Sequence, residues 1–343
     1  MFKGRFQVIG VLLLLALLLF IPAGCEEMEQ LLEQEAGGEK TREETQSSEE
    51  LDPAGEQLEA EPVVEPEPEP EPEQEQEEPP VVEPEVSIST TSPVLGDHLQ
   101  IEIGKLDYLP EVSMSTELDG DLSKPYRVDD RVCLMWGINY YNEPGEYTLT
   151  LTISGEDGQK WEHKEKIRLD EGDFPYQEFS VSSERTADWD AKRLQEDREK
   201  VRRARENPAP EQLWSGLFQW PLKGRISSEF GAVRVINQGD PRRHSGIDIV
   251  ESTGTPIKAA NCGEVRLAEF LLASGNAVIL DHGLGLFSAY LHMDEIHVEV
   301  GQMLEKGEVL GTVGETGFVT GAHLHWSVYV GHTPVNPYGF MEE

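Results

Sequence analysis

Cysteine is scarce in this chain. Its 343 residues hold three, Cys25, Cys133 and Cys262, too few to frame a fold with disulfides. Cys133 and Cys262 lie in segments of different character, so two buried thiols are expected there rather than a bridge. Basic residues are scarce as well: 28 Lys and Arg stand against 66 Asp and Glu, a formal net charge of −38. Nucleic acid is thereby excluded as a partner, because phosphate binding needs a basic footprint that this chain lacks. The apolar run 8–22 is short for the ~20 apolar residues that a bilayer span requires. A permanent transmembrane helix is not expected from it.

The order of the first residues has another meaning. Lys3 and Arg5 precede the apolar run, and Ala23-Gly24-Cys25 follow it, which is the arrangement of an export signal spanning residues 1–24. Ile21-Pro22-Ala23-Gly24-Cys25 resembles the lipobox of bacterial lipoproteins. That resemblance implies cleavage before Cys25, diacylation of its sulfur and a protein held outside the cytoplasm on the membrane by lipid. Pro22 stands where the pattern has an aliphatic or small residue, with Ile21 one step early, so secretion to the cell wall is the alternative.

Residues 25–85 read as an acidic tether, or equally as a charge run that only keeps the protein soluble. Between 26 and 86 there are 24 acidic side chains against Lys40 and Arg42, with alternating Glu and Pro at 65–72. Such a segment buries too little apolar surface to offset its ordering entropy. Proline and like-charge repulsion extend it toward ~3.1 Å per residue, roughly 190 Å at most.

Residues 86–170 predict a small antiparallel β-sandwich. Val86-Ser87-Ile88-Ser89, Leu99-Gln100-Ile101-Glu102-Ile103 and Tyr147-Thr148-Leu149-Thr150-Leu151-Thr152-Ile153 alternate with the period of two of half-buried strands. Asp157-Gly158 predicts a hairpin into Lys160-Trp161-Glu162-His163. No catalytic cluster occurs here, so a spacer, a wall-binding module or a module for a protein partner are all open. Residues 171–212 are expected to be a helical connector. Its helix, within 186–206, pairs Glu196 with Lys200 and Glu199 with Arg203, and Pro208 and Pro210 end it.

The chemistry lies in residues 213–343, where glycine recurs between short apolar runs such as Ala277-Val278-Ile279-Leu280, the pattern of an all-β domain. His244-Ser245-Gly246-Ile247-Asp248 holds an imidazole and a carboxylate four apart, and His323-Leu324-His325 holds two imidazoles two apart. In extended backbone an even separation puts both side chains on one face. Imidazole and carboxylate converging in this way suit zinc, which keeps a coordination position open for water in catalytic sites.

Taken with Ser228-Glu229-Phe230-Gly231, Gly254-Thr255-Pro256, Gly275-Asn276, Asp281-His282-Gly283, Tyr290-Leu291-His292-Met293 and Gly314-Glu315-Thr316-Gly317, these motifs resemble the LytM and lysostaphin-type zinc endopeptidases from about Trp220 to Tyr338. The resemblance implies a mainly β chain with a small barrel-sandwich peptidase domain at 213–343 and bacterial peptidoglycan peptides as substrate. It also implies Zn2+ on His244, Asp248 and His325, with His292 and His323 as catalytic residues. One of that pair would move a proton and the other would donate to the oxyanion, the sequence leaving open which does which. His282 and His297 match no catalytic position and are expected to be structural or exposed. Loops 232–243 and 271–275 would set specificity.

Two rivals carry less weight. Some members of that family are non-catalytic activators or scaffolds of wall remodelling, but this chain keeps all five positions. Val300-Gly301 through Leu310-Gly311 resembles a biotinyl or lipoyl carrier, yet the lysine hairpin of those carriers is missing.

Overall fold

Strand His98–Gly104 buries every second residue, Leu99, Ile101 and Ile103 being fully inaccessible. Such alternation selects the face that meets a second sheet. The computed structural model describes residues 83–155, 158–179, 190–236 and 239–341. The export signal, Cys25 and the tether up to residue 82 lie outside the described residues, among which no helix is long and apolar enough to cross a membrane.

The first domain is two antiparallel sheets. One runs Glu85–Ile88, His98–Gly104, Arg131–Ile138, Gly120–Leu122, with Tyr126–Val128 also on Arg131–Ile138; the other runs Glu111–Ser115, Gly145–Ser154, Lys160–Leu169. Leu134 and Trp136 meet Leu149, Leu151 and Ile153 in a core without solvent access. The two strands that Asp157-Gly158 is expected to join do pair antiparallel. Ser154 pairs with Lys160 and Gly155 N–H donates to the Gln159 carbonyl at 2.8 Å, while Asp157 of the expected turn lies outside the described residues.

Strand Arg131–Ile138 is buried on both faces beyond its first residue, because its second face is covered by the C-terminal domain. A Cβ on Gly137 would lie 2.9 Å from Val335 Cγ1 and 3.1 Å from Val330 Cβ. Beside it, Asp121 Oδ2 accepts from His332 N–H at 2.9 Å and Thr333 Oγ at 2.8 Å. One apolar core continues through both domains.

The connector contains more than a helix. Helix Ala191–Arg203 is capped by Asp190, whose side chain accepts from Lys192 N–H at 2.9 Å. Glu199 pairs with Arg203 at 2.9 Å. Glu196 instead pairs with Lys192 at 3.6 Å, and Lys200 reaches Glu269 at 2.6 Å. The cause is packing: Asp197 is buried and accepts from Leu272 N–H at 2.7 Å, which turns Lys200 toward the sheet beneath. Upstream, Tyr176–Phe179 joins the C-terminal domain as a strand, parallel to Val233–Ile236, which also pairs with Arg242–Arg243.

The main sheet of that domain runs Arg225–Ser228, Ile247–Val250, Leu324–Val330, Leu286–Ile296, Gly275–Asp281, Gly263–Leu271, Met303–Leu304. Val309–Val313 pairs with both Pro256–Lys258 and Leu286–Ile296, and Thr333–Val335 pairs with Leu324–Val330. The chain is thus mainly β, with the one described α-helix in the connector. Cys133 is buried and Cys262 half-buried, both free.

Candidate metal centre

Three neighbouring strands bring the candidate residues together. Asp248 lies on Ile247–Val250 directly opposite His325 on Leu324–Val330, and Leu291, beside His292, is opposite His325 on the other side. His244 arrives differently from the way its spacing suggests. It precedes the strand, after Arg242–Arg243, and Ser245-Gly246 form a bend between it and Ile247. Convergence with Asp248 therefore comes from a bend, not from strand parity. The bend demands glycine, since a Cβ on Gly246 would lie 2.2 Å from the Trp326 carbonyl oxygen.

His244 Nε2, Asp248 Oδ1 and His325 Nδ1 form a triangle with edges of 3.0, 2.9 and 3.0 Å. All three residues are buried. Tetrahedral zinc with bonds of ~2.0–2.2 Å wants its donors roughly 3.3 Å apart, so a slight opening admits the ion. Tautomers agree with this. The remaining nitrogen of His244, Nδ1, faces the Glu229 carbonyl at 2.8 Å, and that of His325, Nε2, faces Ser327 Oγ at 2.7 Å. Protons directed to those acceptors leave a lone pair on each nitrogen of the triangle, the arrangement a metal requires. The donor set fits a divalent metal.

Without a metal, protons on the same nitrogens can take its place. Burial alone would raise the Asp248 pKa, but His244, by charge and hydrogen bond, and then His325 hold the carboxyl well below its usual range. The imidazole of His325 is pushed down to about 4, chiefly by burial. A carboxylate and a neutral imidazole are the protonation states that coordinate.

His323 and His292 border the triangle. Their rings lie 4.9 Å apart, and His292 lies 6.1 Å from His325. His323 Nε2 stands 3.7 Å from Asp248 Oδ1, while its Nδ1 faces the Gly321 carbonyl at 2.8 Å. His292 Nδ1 faces the Thr316 carbonyl at 3.0 Å. A bulge aims it: Asn276 pairs with Met293 but Val278 with Tyr290, one residue too many on the longer strand, and His292 takes φ 66°. Burial, then the His323 and His325 charges, lower its pKa to about 3. With Nδ1–H donated to the Thr316 carbonyl, the neutral ring presents Nε2 to the cleft as an acceptor.

His282 and His297 lie elsewhere. His282 is buried between the Cys262 carbonyl, 2.6 Å away, and Ser288 Oγ, 2.8 Å away; exposed His297 pairs with Glu295 at 3.1 Å. Two residues of the site belong to none of the motifs. Ser327 could have been found, since it follows His325 by two on one strand face. Arg234, whose Nη2 donates to Asp248 Oδ2, carries no such signal.

Comparison with known proteins agrees with this geometry, residues 242–337 matching the model of peptidase family M23. The C-terminal domain is a peptidase family M23 domain. Over 129 residues the chain is 36% identical to the cell division protein DipM of Caulobacter vibrioides, covering 36% of this chain and 20% of DipM. Over 114 residues it is 37% identical to the peptidoglycan DD-endopeptidase ShyC of Vibrio cholerae, covering 33% of this chain and 26% of ShyC. The chain thus spans about a fifth to a third of the length of the curated relatives it matches. A solved M23 peptidase from Pseudomonas aeruginosa superposes with TM-score 0.55 at 26% identity, over 72% of this chain and 94% of that one. That likeness extends past the M23 domain into the upstream β domain.

Proposed function

We propose that this protein is a zinc-dependent endopeptidase that hydrolyses peptide bonds of bacterial peptidoglycan, exported and held on the membrane by lipid on Cys25. The observation that carries the catalytic part is the triangle of His244 Nε2, Asp248 Oδ1 and His325 Nδ1, bordered by two further imidazoles. Zinc, when bound, supplies Lewis acidity and lowers the pKa of water toward ~7.

The remaining chemistry belongs to the chain. His323, with Nδ1 held by the Gly321 carbonyl, directs Nε2 into the cleft. There it takes a proton from the attacking water and returns it to the amine that leaves as the C–N bond breaks, general acid–base work typically contributing ~10²–10⁴-fold. Neutral His292 accepts a hydrogen bond through Nε2 and orients the water. Loop residues 271–275 adjoin this side of the cleft, the Ser274 carbonyl accepting from His292 N–H at 2.9 Å.

Substrate follows from relatives rather than from the cleft. ShyC and ShyA of Vibrio cholerae are named peptidoglycan DD-endopeptidases, which makes a D,D cross-link the first bond to test. The anchor is supported by Ala23-Gly24-Cys25 and by the acidic, proline-rich composition after it, which suits a spacer between membrane and wall. Purified peptidoglycan incubated with the protein should release peptide-linked fragments whose masses show one hydrolysed amide. A chelator should stop the release and zinc restore it. Intact peptidoglycan after incubation with folded, zinc-loaded protein would refute the reading.

A further inference from the structure

Gln177 belongs to no motif in the sequence and to no part of the family match at 242–337. It lies on Tyr176–Phe179, the strand that the connector adds to the M23 domain, opposite Arg234 in the parallel register. Its side-chain oxygen is a junction. Oε1 accepts from Arg234 Nε at 3.3 Å and from Ser228 Oγ at 3.2 Å. Arg234 in turn donates through Nη2 to Asp248 Oδ2, the carboxylate oxygen outside the donor triangle. Ser228 Oγ lies 3.4 Å from His244 Nδ1. A single amide oxygen therefore touches the partners of two of the three metal-binding side chains.

The placement of that strand is itself secured. Three residues before Gln177, the Phe174 ring covers Gly231, where φ is 74° and a Cβ would lie 2.2 Å from the ring. The Arg243 guanidinium stands 4.6 Å from the centroid of the same ring. Arg243 N–H is 3.2 Å from Tyr141 Oη of the first domain. Aromatic packing and cation–π attraction thus fix the segment on the loop that leads to His244.

A carboxylate is free to turn about its terminal torsion and offer either oxygen. Arg234 on Oδ2 removes that freedom and leaves Oδ1 to the triangle. The Arg234 side chain is long and rich in rotamers, however, and a second hydrogen-bond partner narrows the orientations it takes. Gln177 Oε1 is that partner. We propose that Gln177 is a positioning residue for the metal centre: through Arg234 it sets the Asp248 carboxylate for metal, and it holds Ser228 beside the His244 ring. The connector thereby completes a site whose ligands all lie in the M23 domain. This rests on the metal-binding reading above and extends it to a segment outside the catalytic domain.

The test uses the full chain with Gln177→Leu, which removes the acceptor at similar size, and Gln177→Glu, which keeps an acceptor oxygen. Zinc affinity is measured by competition with a chromogenic chelator, beside the melting temperature of each metal-free protein. Outer partners of metal ligands typically govern ~10–100-fold in affinity. Gln177→Leu should lose affinity in that range with the metal-free melting temperature of wild type, and Gln177→Glu should recover most of the loss. Wild-type affinity in Gln177→Leu overturns the proposal, as does equal loss in both variants, which would assign the effect to strand packing. A wild type that binds no zinc overturns the metal reading and this inference together. A wild type that binds zinc and leaves peptidoglycan intact sinks only the peptidase reading, the affinity series still deciding on Gln177.

Discussion

His325 Nδ1 stands 2.9 Å from His244 Nε2 across 81 residues of sequence, and the second nitrogen of each ring faces an oxygen. Two ring nitrogens and a carboxylate oxygen thus face one another in a buried space. Without a cation, protons on His244 and His325 hold the Asp248 carboxylate in the triangle, and a bound cation takes their place. Its state therefore depends on the groups behind it.

Ser327 is the simplest of those groups to remove. Its Oγ, 2.7 Å from His325 Nε2, keeps the ring in the metal-binding tautomer. Ser327→Ala is expected to weaken zinc binding ~10-fold or more while the fold persists. Unchanged affinity in a chelator competition would show that the serine is mere packing.

Much of this site is legible in the sequence. Spacing puts His323 and His325 on one face, and the glycine-punctuated runs announce an all-β domain. Asp248 and His325 pair directly across two strands, as two strand motifs should. The rest depends on backbone events with no local signature. His292 reaches the cleft through a bulge and a positive φ, and His244 through a bend that spacing alone disguises as strand. Gln177 is illegible because its role comes from pairing with Val233–Ile236, distant in sequence. Lys200 turns to Glu269 rather than Glu196 because burial of Asp197 sets the helix face, which local charge spacing does not encode.

Gly246 offers a test of that bend. With no room for a Cβ beside the Trp326 carbonyl, Gly246→Ala should move His244 out of the triangle. Overpacking of this kind costs about 1–3 kcal/mol, so a lowered melting temperature should accompany weaker zinc binding. An alanine variant that melts and binds zinc like wild type would mean that the bend is not tight.

Acid should destabilise the fold through His282. Burial lowers its pKa to about 4, whereas the unfolded chain protonates near ~6.5. The folded value lies below the unfolded one, so this contribution is complete above ~6.5 and is lost as pH falls toward ~4. The loss is on the order of 3 kcal/mol. Metal-free wild type should show a steeper fall in melting temperature between about pH 7 and about pH 4.5 than His282→Gln. Parallel curves would remove His282 as the cause.

Anchoring depends on one sulfur. Cys25→Ser should release the protein from membranes or leave its precursor uncleaved. Identical fractionation and electrophoretic mobility of wild type and variant would rule out lipid at that position.

The division of labour among the histidines is the centre of the account, and zinc content measured beside peptidoglycan cleavage on the same folded preparations tests it most directly. His325→Ala should lose both zinc and cleavage, since it opens the donor triangle. His323→Ala should keep zinc near the wild-type level and cleave ~10²–10⁴-fold more slowly, the usual contribution of a general acid–base group. Zinc lost from His323→Ala but retained by His325→Ala would contradict the assignment, and full cleavage by His325→Ala would contradict the metal centre itself.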